Sequence, residues 1–149
     1  MTRKGFLSLL FVTEVERTRG LITNALPAPS LRERNVGGFK FCGTGAEALD
    51  EFSFNFPDIV FIDETLPDMR GEELLAKIHS DDANAFLVLM VGAITMPQLN
   101  KLIEKGAKGI ITKPFAPMSF DRYIQYFFKD TYKKSWNEME AFNDKGAVR

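Results

Sequence analysis

The chain has 149 residues, 45% of them apolar, with 19 basic and 20 acidic side chains and a formal net charge of -1. That size suits one domain with helical layers around a sheet, and the balanced charge supplies no basic field for a nucleic-acid backbone, so direct DNA or RNA binding is not expected. The single cysteine, Cys42, rules out an internal disulfide and a cysteine-based zinc cluster, and the single histidine, His79, reads as a partly exposed helix residue.

Phe6 to Val12 reads as a buried first strand. It is about half the length needed to cross a bilayer and lacks a small-residue cleavage site, so no membrane span is expected and the cytoplasm is the natural compartment. Polarity begins at Thr13 and Glu14, and Leu21, Ile22, Ala25 and Leu26 then recur at helical spacing until Pro27-Ala28-Pro29-Ser30 ends the element. A short second strand, Phe39 to Cys42, leads through Gly43-Thr44-Gly45 into a helix running to Phe52, and Cys42 reads as a small core residue.

The third strand, Asp58 to Asp63, is continuously apolar before its final carboxylate, as expected where helices cover both faces. The following helix starts at Gly71, a permissive turn residue, and puts Leu74, Leu75 and Ile78 on one side. Phe86 to Val91 is a fourth buried strand, and its helix carries Leu99, Leu102 and Ile103, with Lys101 beside Glu104 on the wetter side. Gly106 to Gly109 opens a fifth strand that runs through Ile110, Ile111 and Thr112 into Lys113-Pro114-Phe115, and the last helix presents Phe120, Tyr123, Ile124, Phe127 and Phe128 as a broad stripe.

Five alternating β and α units predict a doubly wound parallel sheet. The order 2-1-3-4-5 is taken from flavodoxin-like folds, which place their chemistry at the carboxyl ends of strands near the switch between strands 1 and 3. Residues 1–128 are expected to form this domain. Residues 129–149, with Tyr132, Trp136, Met139 and Phe142 among polar residues, are expected to form a helical extension that either folds back or meets a partner.

In this arrangement Glu14 and Asp63 emerge at one sheet end, where two carboxylates, a backbone carbonyl and waters would hold Mg²⁺. Asp63 would act as nucleophile toward a phosphoryl group, with Lys113 as counter-charge. Taken singly, each residue has a plainer reading: strand-end acids are common caps, and a lysine before proline can simply face water. Pro114 suits a turn; a cis Lys113-Pro114 bond would aim the lysine over Asp63 and a trans bond less so, and the sequence is compatible with both.

These motifs resemble a two-component response-regulator receiver domain. The resemblance spans about Phe6 to Phe128 and rests on Phe61-Ile62-Asp63-Glu64-Thr65-Leu66-Pro67-Asp68-Met69-Arg70-Gly71 and on Lys113-Pro114-Phe115. It implies that Asp63 is the phosphoacceptor, Glu14 the second acidic pocket residue, Thr65 the source of a metal-binding backbone carbonyl, and Lys113 the conserved-type lysine. Three positions depart from the pattern. Thr13 replaces the first acid, which implies weaker or shifted Mg²⁺ binding; Gly92 replaces the Ser or Thr hydroxyl after strand 4; and Ile110 replaces the aromatic switch residue in strand 5.

Two readings follow from the resemblance. In the first, a histidine kinase or phosphotransfer protein phosphorylates Asp63, and the change reaches a downstream protein or a homodimer through helix 4, strand 5, helix 5 or the C-terminal tail. The chain is then a regulator in a phosphorelay and not a conventional turnover enzyme. In the second, it is a pseudo-receiver, a constitutive interaction module in which Asp63 and Lys113 form a structural ion pair. A hydrolase and a flavin carrier rank lower, because Asp63-Glu64-Thr65 lacks a second aspartate two positions after the nucleophile and the first loop lacks a phosphate cradle. Gly92→Thr, by restoring the hydroxyl, is expected to strengthen signal coupling.

Overall fold

Six successive apolar side chains leave a strand no polar face to turn outward, and all six residues of Phe86–Val91 are buried. The computed structural model describes residues 7–25, 36–114 and 117–128. Its strands are β1 (Leu7–Val12), β2 (Val36–Cys42), β3 (Ile59–Asp63), β4 (Phe86–Val91) and β5 (Ala107–Thr112). The helices are α1 (Glu16–Ala25), α2 (Gly45–Asn55), α3 (Gly71–Asp81), α4 (Met96–Lys105) and α5 (Pro117–Phe128). The strands form one five-stranded parallel sheet in the order β2-β1-β3-β4-β5, as the alternating pattern predicts.

Period-two alternation divides the core into two layers. Leu10, Val12, Val60, Ile62, Leu87 and Leu89 face α2, α3 and α4, where they pack with Phe52, Leu74, Leu75, Ile78 and Leu102. Leu9, Phe11, Ile59, Phe61, Val88 and Met90 face α1 and α5, against Ile22, Phe120, Tyr123 and Ile124. Full burial of such a side chain contributes about 1.5–3 kcal/mol, so these layers supply the main drive to fold. Among the described residues, no helix is long and apolar enough to cross a membrane.

Three expectations need correction. Leu21 is 46% exposed while its neighbour Ile22 is fully buried, because adjacent helical residues diverge by about 100° and α1 buries only a narrow stripe. β2 starts at Val36 and so takes in Gly37 and Gly38, since pairing with β1 overrides their poor strand propensity. Gly71 is needed for close approach and not for turn freedom: an added Cβ would overlap the backbone carbonyl of Asp63. Phe6, Phe115, the Pro27 to Ser30 segment and the tail at 129–149 lie outside the described residues.

Candidate functional site

The alternation that divides the core also assembles the site. Phe11, Phe61 and Ile111 lie on the α1/α5 face, and two residues further along each strand come Thr13, Asp63 and Lys113. Phe11 and Phe61 are register partners whose rings stack at 4.9 Å with an interplanar angle of 10°, and Phe120 meets both edge-on at 5.6 and 5.3 Å. Such pairs add about 0.5–1.5 kcal/mol each and fix the floor from which Thr13 and Asp63 rise.

Asp63 is only 2% exposed, and both of its carboxylate oxygens are engaged. The Lys113 ammonium lies 2.7 Å from Oδ1, with the Lys113-Pro114 peptide bond cis and the Lys113 amide donating to the Val91 carbonyl at 2.8 Å. Thr13, fully buried, donates its hydroxyl to Oδ2 at 2.8 Å. Each carboxylate oxygen retains a further lone pair, so these contacts orient the group without exhausting it.

Thr13 is itself held from several sides. Its amide donates to the Cys42 carbonyl at 2.9 Å, and its carbonyl accepts from Arg19 Nε and Nη2 at 3.0 and 2.8 Å. The Arg19 guanidinium in turn lies 5.4 Å from the Phe41 ring centre, which favours the cation over the aromatic face. Glu14, the next residue, is exposed and borders a shallow depression with Glu16, Arg19, Gly20 and Thr23. Burial pushes the Cys42 thiol above its ordinary pKa, which keeps this neighbour of the site protonated.

The β3–α3 loop is tied at several points. Thr65 and Arg70 form an antiparallel bridge, flanked by hydrogen bonds from the Leu66 amide to the Met69 carbonyl at 3.1 Å and from the Gly71 amide to the Glu64 carbonyl at 2.9 Å. In this non-hydrogen-bonded pair the carbonyl of Thr65 points away from Arg70. Asp68 accepts from the amides of Gly45 and Ala46 at 2.8 and 3.0 Å at the start of α2. Those backbone donors, Gly45 first, hold its carboxyl below the usual range.

Across the sheet edge, Gly92 is exposed, and its amide donates to Glu64 Oε2 at 2.8 Å. Ile110 is half-buried; its amide donates to the Tyr123 hydroxyl at 3.1 Å, and that hydroxyl donates to the Ile110 carbonyl at 2.8 Å. Burial pushes the Tyr123 phenol up to about 12. An aromatic side chain therefore braces this position from α5, where the sequence offered only the missing ring at Ile110.

Of the residues singled out from sequence, Asp63 contacts both Lys113 and Thr13; Glu14, Thr65, Gly92 and Pro114 follow the carboxyl ends of their strands, while Ile110 lies within β5, paired with Leu89. Sequence reasoning treated Thr13 as a lost acid and missed its hydroxyl as a partner of Asp63; the shared phase of Phe11-Thr13 and Phe61-Asp63 is the signal for it. Arg19, Glu64 and Tyr123 were missed altogether, and only the place of Tyr123 in the α5 stripe pointed toward it. Among the described residues, no group of three or more His, Cys, Asp or Glu side chains is arranged to hold a metal. The acidic donors at this edge, Asp63, Glu14 and Glu64, are hard oxygen ligands.

Comparison with known proteins places this geometry. The family described as response regulator receiver domain matches residues 24–125. The chemotaxis protein CheY of Listeria monocytogenes is 38% identical over 109 residues, which cover 73% of this chain and 87% of that one. Among solved structures, the signal receiver domain of a putative LuxO repressor from Vibrio parahaemolyticus aligns with a TM-score of 0.74 at 20% identity, covering 89% of this chain and 98% of that one. CheY of Borrelia burgdorferi, solved in a CheX-CheY-BeF3-Mg complex, aligns with a TM-score of 0.72 at 23% identity over 84% of this chain and 92% of that one. With its sheet order, its paired Asp63 and Lys113 and these matches, the chain belongs to the CheY-like response-regulator receiver domains, whose members act as phosphoacceptor switches and not as turnover enzymes.

Proposed function

We propose that this domain accepts a phosphoryl group on Asp63 from a histidine kinase or phosphotransfer protein of the cytoplasm, the partners typical of its family. The change is then passed to a protein partner or a second copy through α4, β5 and α5. In this reading residues 1–128 are the receiver and residues 129–149 a C-terminal extension through which the same partner is met. The observation that carries this reading is the 2.7 Å pairing of Lys113 with a nearly buried Asp63 at the carboxyl edge of β3.

In the transfer, an Asp63 carboxylate oxygen forms the new P–O bond while the donor's P–N bond to imidazole breaks, its electron pair staying on the ring nitrogen. The product is an acyl phosphate carrying roughly -1.5 to -2 charges. Lys113 offsets that charge, and Thr13 keeps the carboxylate aimed. The donor set fits Mg²⁺, which is commonly bound through one or two carboxylates with waters and substrate phosphate; Asp63, Glu14 and the Thr65 carbonyl would hold it. When bound, it supplies electrostatic screening between the two anionic reactants. Thr13 in place of a carboxylate makes that site weak and dependent on the phosphoryl group.

The second reading, a pseudo-receiver, is favoured by one observation: both Asp63 oxygens are already engaged, by Thr13 and Lys113. Incubation with acetyl phosphate and Mg²⁺ followed by intact-mass measurement separates the two. One added phosphoryl group on the wild type and none on Asp63→Asn is expected. No addition to either protein supports the interaction module.

A further inference from the structure

Gly92 and Glu64 stand on different strand ends, yet one hydrogen bond joins them. The Glu64 carboxylate accepts from the Gly92 amide at 2.8 Å, while the Glu64 amide donates to the Met90 carbonyl at 3.0 Å. Backbone and side chain of one residue thus tie the end of β3 to the strand and the loop of its neighbour. A Cβ built at Gly92 would lie 3.3 Å from Glu64 Oε2, so glycine is what lets the carboxylate reach the amide unhindered. Beyond Gly92 the chain runs through Ala93 and Ile94 to Thr95, which caps α4 with a capping box.

Resting on the reading of Asp63 as phosphoacceptor, we propose that Glu64 is a positioning residue that couples Asp63 to α4 by anchoring the Gly92 amide before phosphorylation and releasing it afterwards. The charge argument is direct. Glu64 adjoins Asp63, so their carboxylates cannot lie far beyond the ~8 Å screening length of physiological salt. Phosphorylation replaces the single charge of the Asp63 carboxylate with an acyl phosphate of roughly -1.5 to -2 whose oxygens extend further from the strand, which increases the repulsion on Glu64, and Glu64 has somewhere to go. Glu64 borders a cleft of about 580 Å³ between α3 and α4, floored by Leu89 and Leu102, whose rim carries Lys101 together with Arg70 and Lys105, the last two each paired with Glu72 at 2.9 Å.

This coupling runs opposite to a hydroxyl that pulls its loop inward on phosphorylation. On this proposal Gly92→Thr has the opposite outcome from the one expected of the hydroxyl alone: the added Cβ crowds Glu64 and weakens the anchor, so coupling falls.

Two variants separate anchor from charge. Glu64→Gln keeps an acceptor oxygen but has no charge to be repelled, and Glu64→Ala has neither. In the unmodified proteins, NMR amide exchange at Gly92 is expected to be roughly tenfold faster in Glu64→Ala than in the wild type or Glu64→Gln. Equal rates in all three overturn the anchor. After acetyl phosphate and Mg²⁺, with intact mass monitoring occupancy, wild-type Gly92 should rise to the rate of the alanine variant while Glu64→Gln stays slow. Gln at this position should also speed phosphorylation roughly threefold by removing one like charge. A phosphorylated wild type with unchanged Gly92 exchange overturns the release step. No added mass in any of the three overturns the phosphoacceptor reading and the coupling with it, whereas the exchange rates of the unmodified proteins judge the anchor alone.

Discussion

The loops after β3 and β4 reach the same edge of the sheet and are built to opposite standards. The β3–α3 loop is fixed by the Thr65 to Arg70 bridge, by the Gly71 amide on the Glu64 carbonyl and by Asp68 bound to two amides of α2. The β4–α4 loop has exposed residues at Gly92 and Ala93, packs Ile94 against the core, and among the described residues is hydrogen-bonded to the β3 end through the Glu64 side chain before the cap at Thr95. Under the proposed function, Asp63 needs a rigid seat, because small misplacements are costly to reaction, whereas the proposed coupling through Gly92 needs an element with few ties to break. The division of labour lies in the number of bonds holding each loop.

Breaking the rigid side should have the largest effect. Gly71→Ala drives a Cβ into the Asp63 carbonyl and is expected to destabilise the domain by about 3 kcal/mol, read by urea denaturation. If the variant is as stable as the wild type, the loop yields more easily than its bonding implies.

The brace on β5 offers a test of intermediate size. Tyr123→Phe leaves the Ile110 amide and carbonyl without their shared hydroxyl partner, at a cost of about 1–2 kcal/mol at neutral pH. Because burial raises the phenol to about 12 from an ordinary value near 10, its contribution is complete below pH 10 and disappears as pH rises through 12. Denaturation curves across that range should therefore decline less steeply for the phenylalanine variant.

The smallest effect belongs to the loose side. Thr95→Ala removes the hydroxyl that accepts from the Gln98 amide at 3.3 Å and is expected to cost about 1 kcal/mol, with faster amide exchange confined to the first turn of α4. Exchange spreading into β4 would mean that this loop is more firmly coupled to the sheet than the Glu64 hydrogen bond and the packing of Ile94 suggest.

Much of this was open to reading from the residues. The continuous apolar runs of β3 and β4 named buried parallel strands, and the acid and the lysine at the ends of β3 and β5 marked one edge as the chemical one. Strand phase also carried more than was taken from it, since Phe11, Phe61 and Ile111 place Thr13, Asp63 and Lys113 on one face. The roles of Arg19, Glu64 and Tyr123 were not legible. Each acts through a backbone group of a residue on another element, and a backbone carbonyl or amide leaves no mark in the sequence to show which side chain will reach it.

By itself the sequence determined the alternation of strands and helices and the chemistry at the strand ends, because hydrophobic period and charge are properties of the residues. Only the tertiary structure decided that Thr13 donates to Asp63, that Lys113 reaches the same carboxylate, and that Glu64 spans to the Gly92 amide. A hydrogen bond requires its atoms to lie within about 3 Å, and for residues far apart in the chain that distance is set by the packing of the sheet and its helices.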